Sequence, residues 1–175
     1  MRRLALVCLL AFAAGLATLI RLGPEPGGIE DMWTALFGPA DAGAVDFATL
    51  RRRRAPSDAL ACPPDACPFA EPDIVPPVFP VEGARLRAIV AEAARADPDT
   101  ELVFAERWAE HDRYVARSKV LRFPDTIDAE ILGQGEGRST LALYSRSRIG
   151  LYDFGVNRAR LRRWLDRIGA AAERG

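Results

Sequence analysis

The stretch SRSRIGLYDFGVNRARLRRW, Ser145 to Trp164, holds the junction that decides the fold. Its first part continues a run, 138–148, whose apolar and polar residues alternate with the period of a strand. Leu141, Leu143, Ser145, Ser147 and Ile149 then share one face, and Thr140, Ala142, Tyr144, Arg146 and Arg148 the other. The first set begins more apolar, so it is placed toward the core and the arginines on an open face. Gly150 lets the chain turn. Asp153 is a natural N-cap, because its carboxylate can accept from the free N–H groups at a helix start. Beyond it, about 154–169, Leu161, Trp164, Leu165 and Ile168 recur at helical spacing, and Asn157 falls within their stripe. Arg158 lies at the stripe's edge, placed to pair with Asp153, and Arg160, Arg163 and Arg167 are assigned to the outer face.

Working back from this junction, further strand-like runs occupy 101–108, 113–123 and 126–133, with turn signals at AEHD, PD and GQGEG. Links this short favour antiparallel neighbours, since parallel ones need long crossovers. Residues 82–97 place Leu86, Ile89, Val90 and Ala93 on one helical face, and Pro98 stops the helix. The predicted fold class is therefore α+β: a four-stranded antiparallel meander with two helices on one face, spanning 79–170.

The N-terminus has a different character. After MRR come seventeen uncharged residues, Leu4–Ile20, closed by Arg21. A helix of that length spans about 25 Å, short but workable for a bilayer core. The small-x-small site Ala11-Phe12-Ala13 lies inside the apolar run, so 1–21 reads as an uncleaved anchor rather than a signal peptide. Arg2 and Arg3 outweigh Arg21, which keeps the N-terminus cytoplasmic and places the body on the periplasmic side of an inner membrane. Between anchor and body, 22–78 reads as a proline-rich juxtamembrane linker. Within it, IEDMWTALFG (29–38) has the spacing of an interfacial helix, with Trp33 and Phe37 at headgroup depth. The run Arg51–Arg54 is suited to anionic lipid or to plain solvation.

Charge and cysteine content narrow the function classes. The chain has 24 basic and 24 acidic residues, so no nucleic-acid partner is expected. Nine bases against three acids in 138–175 could meet a small anion, or could simply solvate a helix face. Cys62 and Cys67, in CPPDAC, form a candidate disulfide in an oxidising compartment, stabilising by roughly 2 kcal/mol. A single histidine, His111, and no second cysteine pair leave no metal site, and no cofactor motif is complete. DFG at 153–155 lacks the other kinase signatures, and GQGEG lacks the strand–loop–helix setting of a phosphate loop. His111, between Glu110 and Asp112, reads as a histidine of a polar turn.

The candidate ligand site is thus Ser145, Arg146, Ser147, Arg148, Asp153, Asn157 and Arg158. Two readings stay open. A buried asparagine needs hydrogen-bond partners, so the group can be a clasp that locks the strand to the helix. Arginines and helix-start amides converging there can equally hold an anion or a lipid headgroup. A hydrolase using the serines is a third use of the same residues.

The same residues carry a resemblance. SRSRIGLYDFGVNRARL resembles the signature of the family called domain of unknown function 1499: an arginine- and serine-rich strand end, glycine, aspartate, then glycine, asparagine and arginine. YVARSKVLRFPDTIDAEIL and DALACPPDAC resemble that family's upstream patterns, so the likeness covers about 58–168. It implies the module and carries over no catalytic residue.

Overall fold

In the computed structural model, residues 2–107 and 111–174 are described. The elements run α1 (Arg2–Leu22), α2 (Ile29–Phe37), β1 (Asp58–Ala61), α3 (Gly83–Arg95), β2 (Thr100–Ala105), β3 (His111–Arg117), β4 (Pro124–Gly133), β5 (Ser139–Ser147) and α4 (Val156–Ala172). Strands β2 to β5 form the expected antiparallel meander. A fifth strand, β1, adds to its β5 edge, giving the order β1-β5-β4-β3-β2. The sheet therefore has five strands, not four. The extra strand is DALA, four residues from the segment read as a linker, paired from Asp58↔Arg146 to Ala61↔Leu143. So short a strand carries no periodic signal of its own, and pairing with β5 creates it.

The expected 113–123 strand ends earlier, because Ser118–Phe123 turn back and β4 starts at Pro124 rather than after it. Proline fits there, at the first residue of a strand. Trp108 and the first residues of the expected AEHD turn lie outside the described residues. GQGEG closes the β4–β5 hairpin, with Gly135 and Gly137 at φ near +70°.

Helices α3 and α4 cover one sheet face. Leu86, Ile89 and Val90 of α3 meet Leu161, Trp164 and Ile168 of α4 over Ile127, Leu141 and Leu143. Trp164 meets Tyr114 edge-on, with ring centroids 5.5 Å apart. The opposite face is not open. Residues from the 39–70 segment lie over it, with Phe47, Leu50, Cys62 and Cys67 packed on Ala142 and Tyr144. A disulfide joins Cys62 to Cys67. Polar strand residues satisfy the covering backbone: Thr126 Oγ1 accepts from the Ala42 N–H, and Asp128 Oδ1 from the Val45 N–H. Buried main-chain donors need such partners, so the polar face of β4 is built to hold a loop.

At the N-terminus, α1 includes a 19-residue stretch, Leu4–Leu22, of mean hydropathy 2.2 with none of it buried. It is long and apolar enough to cross a membrane, and it carries the free Cys8. Helix α2 docks on the protein body. Trp33 stacks on Phe123 with centroids 4.9 Å apart and donates its indole N–H to the Leu121 carbonyl. Glu30 pairs with Arg117 and Arg122 at 2.8 and 2.7 Å. Trp33 thus faces protein, while Phe37 stays exposed.

Candidate functional site

The junction that opened the sequence folds as a buried polar knot. Ser145 and Ser147, on the helix side of β5, meet Asn157 in the first turn of α4, and Ser145 and Asn157 are fully buried. Ser145 Oγ donates to Asn157 Oδ1, and Asn157 Nδ2 donates to Ser147 Oγ at 3.1 Å and to the Ser57 carbonyl at 3.3 Å. Asp153 accepts from the N–H groups of Gly155 and Asn157, at 2.9 and 3.0 Å, and so satisfies the start of α4. Each of these groups is spent on another part of the protein. The strand is tied to the helix and, through Ser57, to the lead-in of β1.

The remaining sequence-derived residues fall elsewhere. Arg146 is buried on the opposite face, its guanidinium on Asp128 and on the Gly43 carbonyl. The open face assigned to it is closed because the 39–70 segment covers it and supplies the Gly43 carbonyl, beside Asp128 of β4. Arg148 binds the carbonyls of Phe37 and Pro39 and so fastens the end of α2. Arg158 reaches the Asp73 carbonyl at 3.4 Å rather than Asp153.

Arg160 was assigned outward, and it is instead the centre of the knot, 5% exposed. Its Nη1 donates to Ser145 Oγ and Asn157 Oδ1 at 3.0 and 2.7 Å, and its Nη2 to Asp125 Oδ2 at 2.8 Å. The signal was present in the spacing. Arg160 stands three residues after Asn157 and four before Trp164, the separations that share a helix face. Asp97, just past α3, has no comparable sequence signature. It is buried, accepts from the Trp164 indole at 3.2 Å and from Arg163 at 3.2 Å, and has Arg160 and Arg167 at 3.7 and 3.8 Å.

Beside the knot opens a cleft of about 280 Å³, between the α3–β2 link, the end of β3 and the first half of α4. Asp97, Asp99, Asp125, Arg117, Lys119, Arg160 and Arg163 bring charge to its wall. The acids are occupied: Asp99 holds Arg122, Asp125 holds Arg160, and Asp97 holds the α4 arginines. Arg117 is taken by Glu30 and Glu101. Lys119 is exposed, Arg163 is half exposed and paired with Asp97, and the buried Arg160 Nε makes no hydrogen bond but lies 3.7 Å from Asp97 Oδ2.

His111 lies on the other sheet face, at the start of β3 rather than in a turn. Its Nε2 is 3.4 Å from Asp128 Oδ1. The hydrogen bond it donates to Asp128 raises its pKa above the usual 6.5, against the opposing effect of burial. A histidine raised in the folded state contributes stability that is complete below about pH 6.5 and lost as pH rises through the folded value. Urea midpoints are expected to fall across that window, and His111→Gln to flatten the fall. A midpoint that rises with pH in the parent but not in the variant would contradict the assignment.

Among the described residues neither serine of the knot has a general base as partner: Arg160, which donates to Ser145, cannot take up a proton, and His111 stands across the sheet. Among the described residues no group of three or more histidine, cysteine or acidic side chains could hold a metal ion.

The comparisons fit this architecture. The family model described as "Protein of unknown function (DUF1499)" matches residues 52–168, so the chain belongs to that family. The match begins just before β1 and ends within α4, taking in the whole sheet and the knot. No curated protein matches the chain.

Proposed function

We propose that the protein is a membrane-anchored envelope protein whose α+β domain binds a small anion in the cleft beside Arg160. In this reading α1 spans the inner membrane with its N-terminus cytoplasmic, and the domain stands on the periplasmic side. The exposed apolar length of α1 and the Cys62–Cys67 disulfide, a bond that persists in oxidising compartments, support that placement. The observation that carries the binding role is the arrangement of Arg160. Ser145, Asn157 and Asp125 hold its guanidinium, while its Nε, 3.7 Å from Asp97 Oδ2, makes no hydrogen bond beside a charged cleft. A fixed guanidinium with Lys119 and Arg163 beside it matches a carboxylate or phosphate group, which accepts charge-assisted hydrogen bonds.

On this account Ser145, Ser147, Asp153 and Asn157 position the site rather than touch the ligand. The hydrolase alternative lacks support, because both serines bond to Asn157 and have no general base in reach among the described residues. Inorganic phosphate serves as the probe, titrated by calorimetry into the full chain in detergent. Lys119→Ala and Arg163→Ala each remove one charged donor and should weaken binding about tenfold, as expected for a charge-assisted hydrogen bond. Arg162→Ala, outside the cleft, should leave it unchanged. Absence of saturable binding, or equal affinity in all three variants, would overturn the proposal.

A further inference from the structure

We propose that one end of the sheet rests on the bilayer that α1 enters, with Leu151, Tyr152 and Phe154 lodged among the lipids. The inference rests on the membrane anchoring proposed above and not on anion binding, although Lys119 belongs to both surfaces.

The β5–α4 loop presents its largest apolar side chains to the outside. Leu151 is 80% exposed, Tyr152 57% and Phe154 86%. The loop is nevertheless well tied. The Asp153 N–H donates to the Pro56 carbonyl, and the Asp153 carboxylate takes the Gly155 and Asn157 N–H groups. Phe154 is held at φ +55°, a region that bulky residues rarely adopt. A fixed loop thus points an aliphatic and two aromatic side chains away from the core, where water gives them no favourable contact.

The path of the chain identifies what covers them. Only residues 23–28 separate α1 from α2. Six residues reach at most about 20 Å when fully extended. Helix α2 is clamped to the same end of the sheet as the loop: Trp33 binds the Leu121 carbonyl, and Arg148 binds the Phe37 carbonyl. The strand register confirms the shared end, since Pro124 faces Arg117, Asp125 faces Ser147 and Asp58 faces Arg146. Wherever α1 leaves the bilayer, this end is held within a short tether of it. Val120, at the tip of the β3–β4 turn, and Leu36 of α2 are also exposed there, at 63% and 65%.

Exposed bases flank the loop, while the acids Glu25 and Asp31 lie on the tether and on α2. Arg53 donates to the Ser147 carbonyl beside the loop, and Arg54 next to it is exposed. Lys119 is exposed in the β3–β4 turn. Apolar side chains at the tip with bases around them form the pattern of a surface that enters the headgroup layer of anionic lipid.

Spin labels on the full chain in vesicles of phosphatidylglycerol and phosphatidylethanolamine test this. In a Cys8→Ser background, nitroxides are attached at Leu151→Cys, at Phe154→Cys and, for reference, at Glu136→Cys in the hairpin at the far end of the sheet. Flotation of the vesicles first establishes that the chain is anchored. Labels at 151 and 154 should then collide with oxygen severalfold more, and with a water-soluble nickel chelate severalfold less, than the label at 136. Equal access to the nickel chelate at all three sites would overturn the lipid contact while leaving the anchor standing. Dipolar broadening between labels at 154 would also overturn it, by showing that a second copy covers the loop. A chain that does not float with the vesicles would remove the anchor and this proposal together.

Discussion

Arg160→Leu should lower the unfolding free energy by about 3–5 kcal/mol, the usual cost of removing one partner from a buried ion pair. The side chain is 6% exposed and its Asp125 partner 12%, so the pair is largely shielded from water although both line the cleft. Leucine fills much of the volume, but it leaves Asp125 without its guanidinium and takes a donor from Asn157 Oδ1 and Ser145 Oγ. Asp97 loses one of its arginines as well. Domains of this size are commonly stable by about 5–15 kcal/mol, so the variant should sit near the edge of folding at room temperature. Arg160→Lys keeps the charge but not the planar fork, and should fall between the two. Arg162→Ala, on the exposed side of α4, should stay within about 0.5 kcal/mol of the parent. Urea unfolding followed by the fluorescence of Trp164, which packs one turn away, separates these cases. An Arg160→Leu midpoint equal to that of Arg162→Ala would refute the central place given to this residue.

That arginine also marks where the sequence was legible and where it was not. The faces of β5 could be read, because alternation is geometric and Leu141 and Leu143 fix which side is buried. The helix stripe could be read for the same reason, and it brought Asn157 to the two serines correctly. Arg160 was misplaced because a charged side chain on the flank of an apolar stripe is usually solvated. Only the buried acceptors behind it reverse that preference, and they come from a serine and an asparagine nearby and from Asp125 thirty-five residues away. The cover on the second sheet face failed to appear for a related reason. Residues 39–57 have no apolar period, and their place is set by Phe47 and Leu50 packing on the sheet together with backbone N–H groups bonding to Thr126 and Asp128. Long-range polar pairing leaves no pattern in a local window. Strand β1 belongs to the same class of feature, since DALA becomes a strand only when β5 offers it an edge.

Asp128 makes the second large effect, on the face that sequence reasoning left open. Its carboxylate is fully buried and receives the Arg146 guanidinium, the Val45 N–H and the His111 ring. Asp128→Asn keeps the shape and removes the charge, leaving Arg146 buried with the Gly43 carbonyl as its remaining acceptor. The expected loss is about 3–5 kcal/mol, again the cost of an unpaired buried charge rather than the net worth of the pair. Arg146→Leu should cost a similar amount by stranding the carboxylate. The double variant Asp128→Asn/Arg146→Leu should cost less than the sum of the two, because neither charge is then left alone, and a double-mutant cycle measures that difference directly. It should not return to the parent value, since the Val45 N–H still loses its charged acceptor. The pH dependence supplies an independent check on the same carboxylate. Without Asp128, His111 loses the hydrogen bond that does most to raise its pKa, with Glu130 left as the lesser cause, so the fall in stability with rising pH should shrink in Asp128→Asn and persist in Arg146→Leu. A cycle that is strictly additive, with an unchanged pH slope in both single variants, would mean that Arg146 and His111 do not depend on this acid.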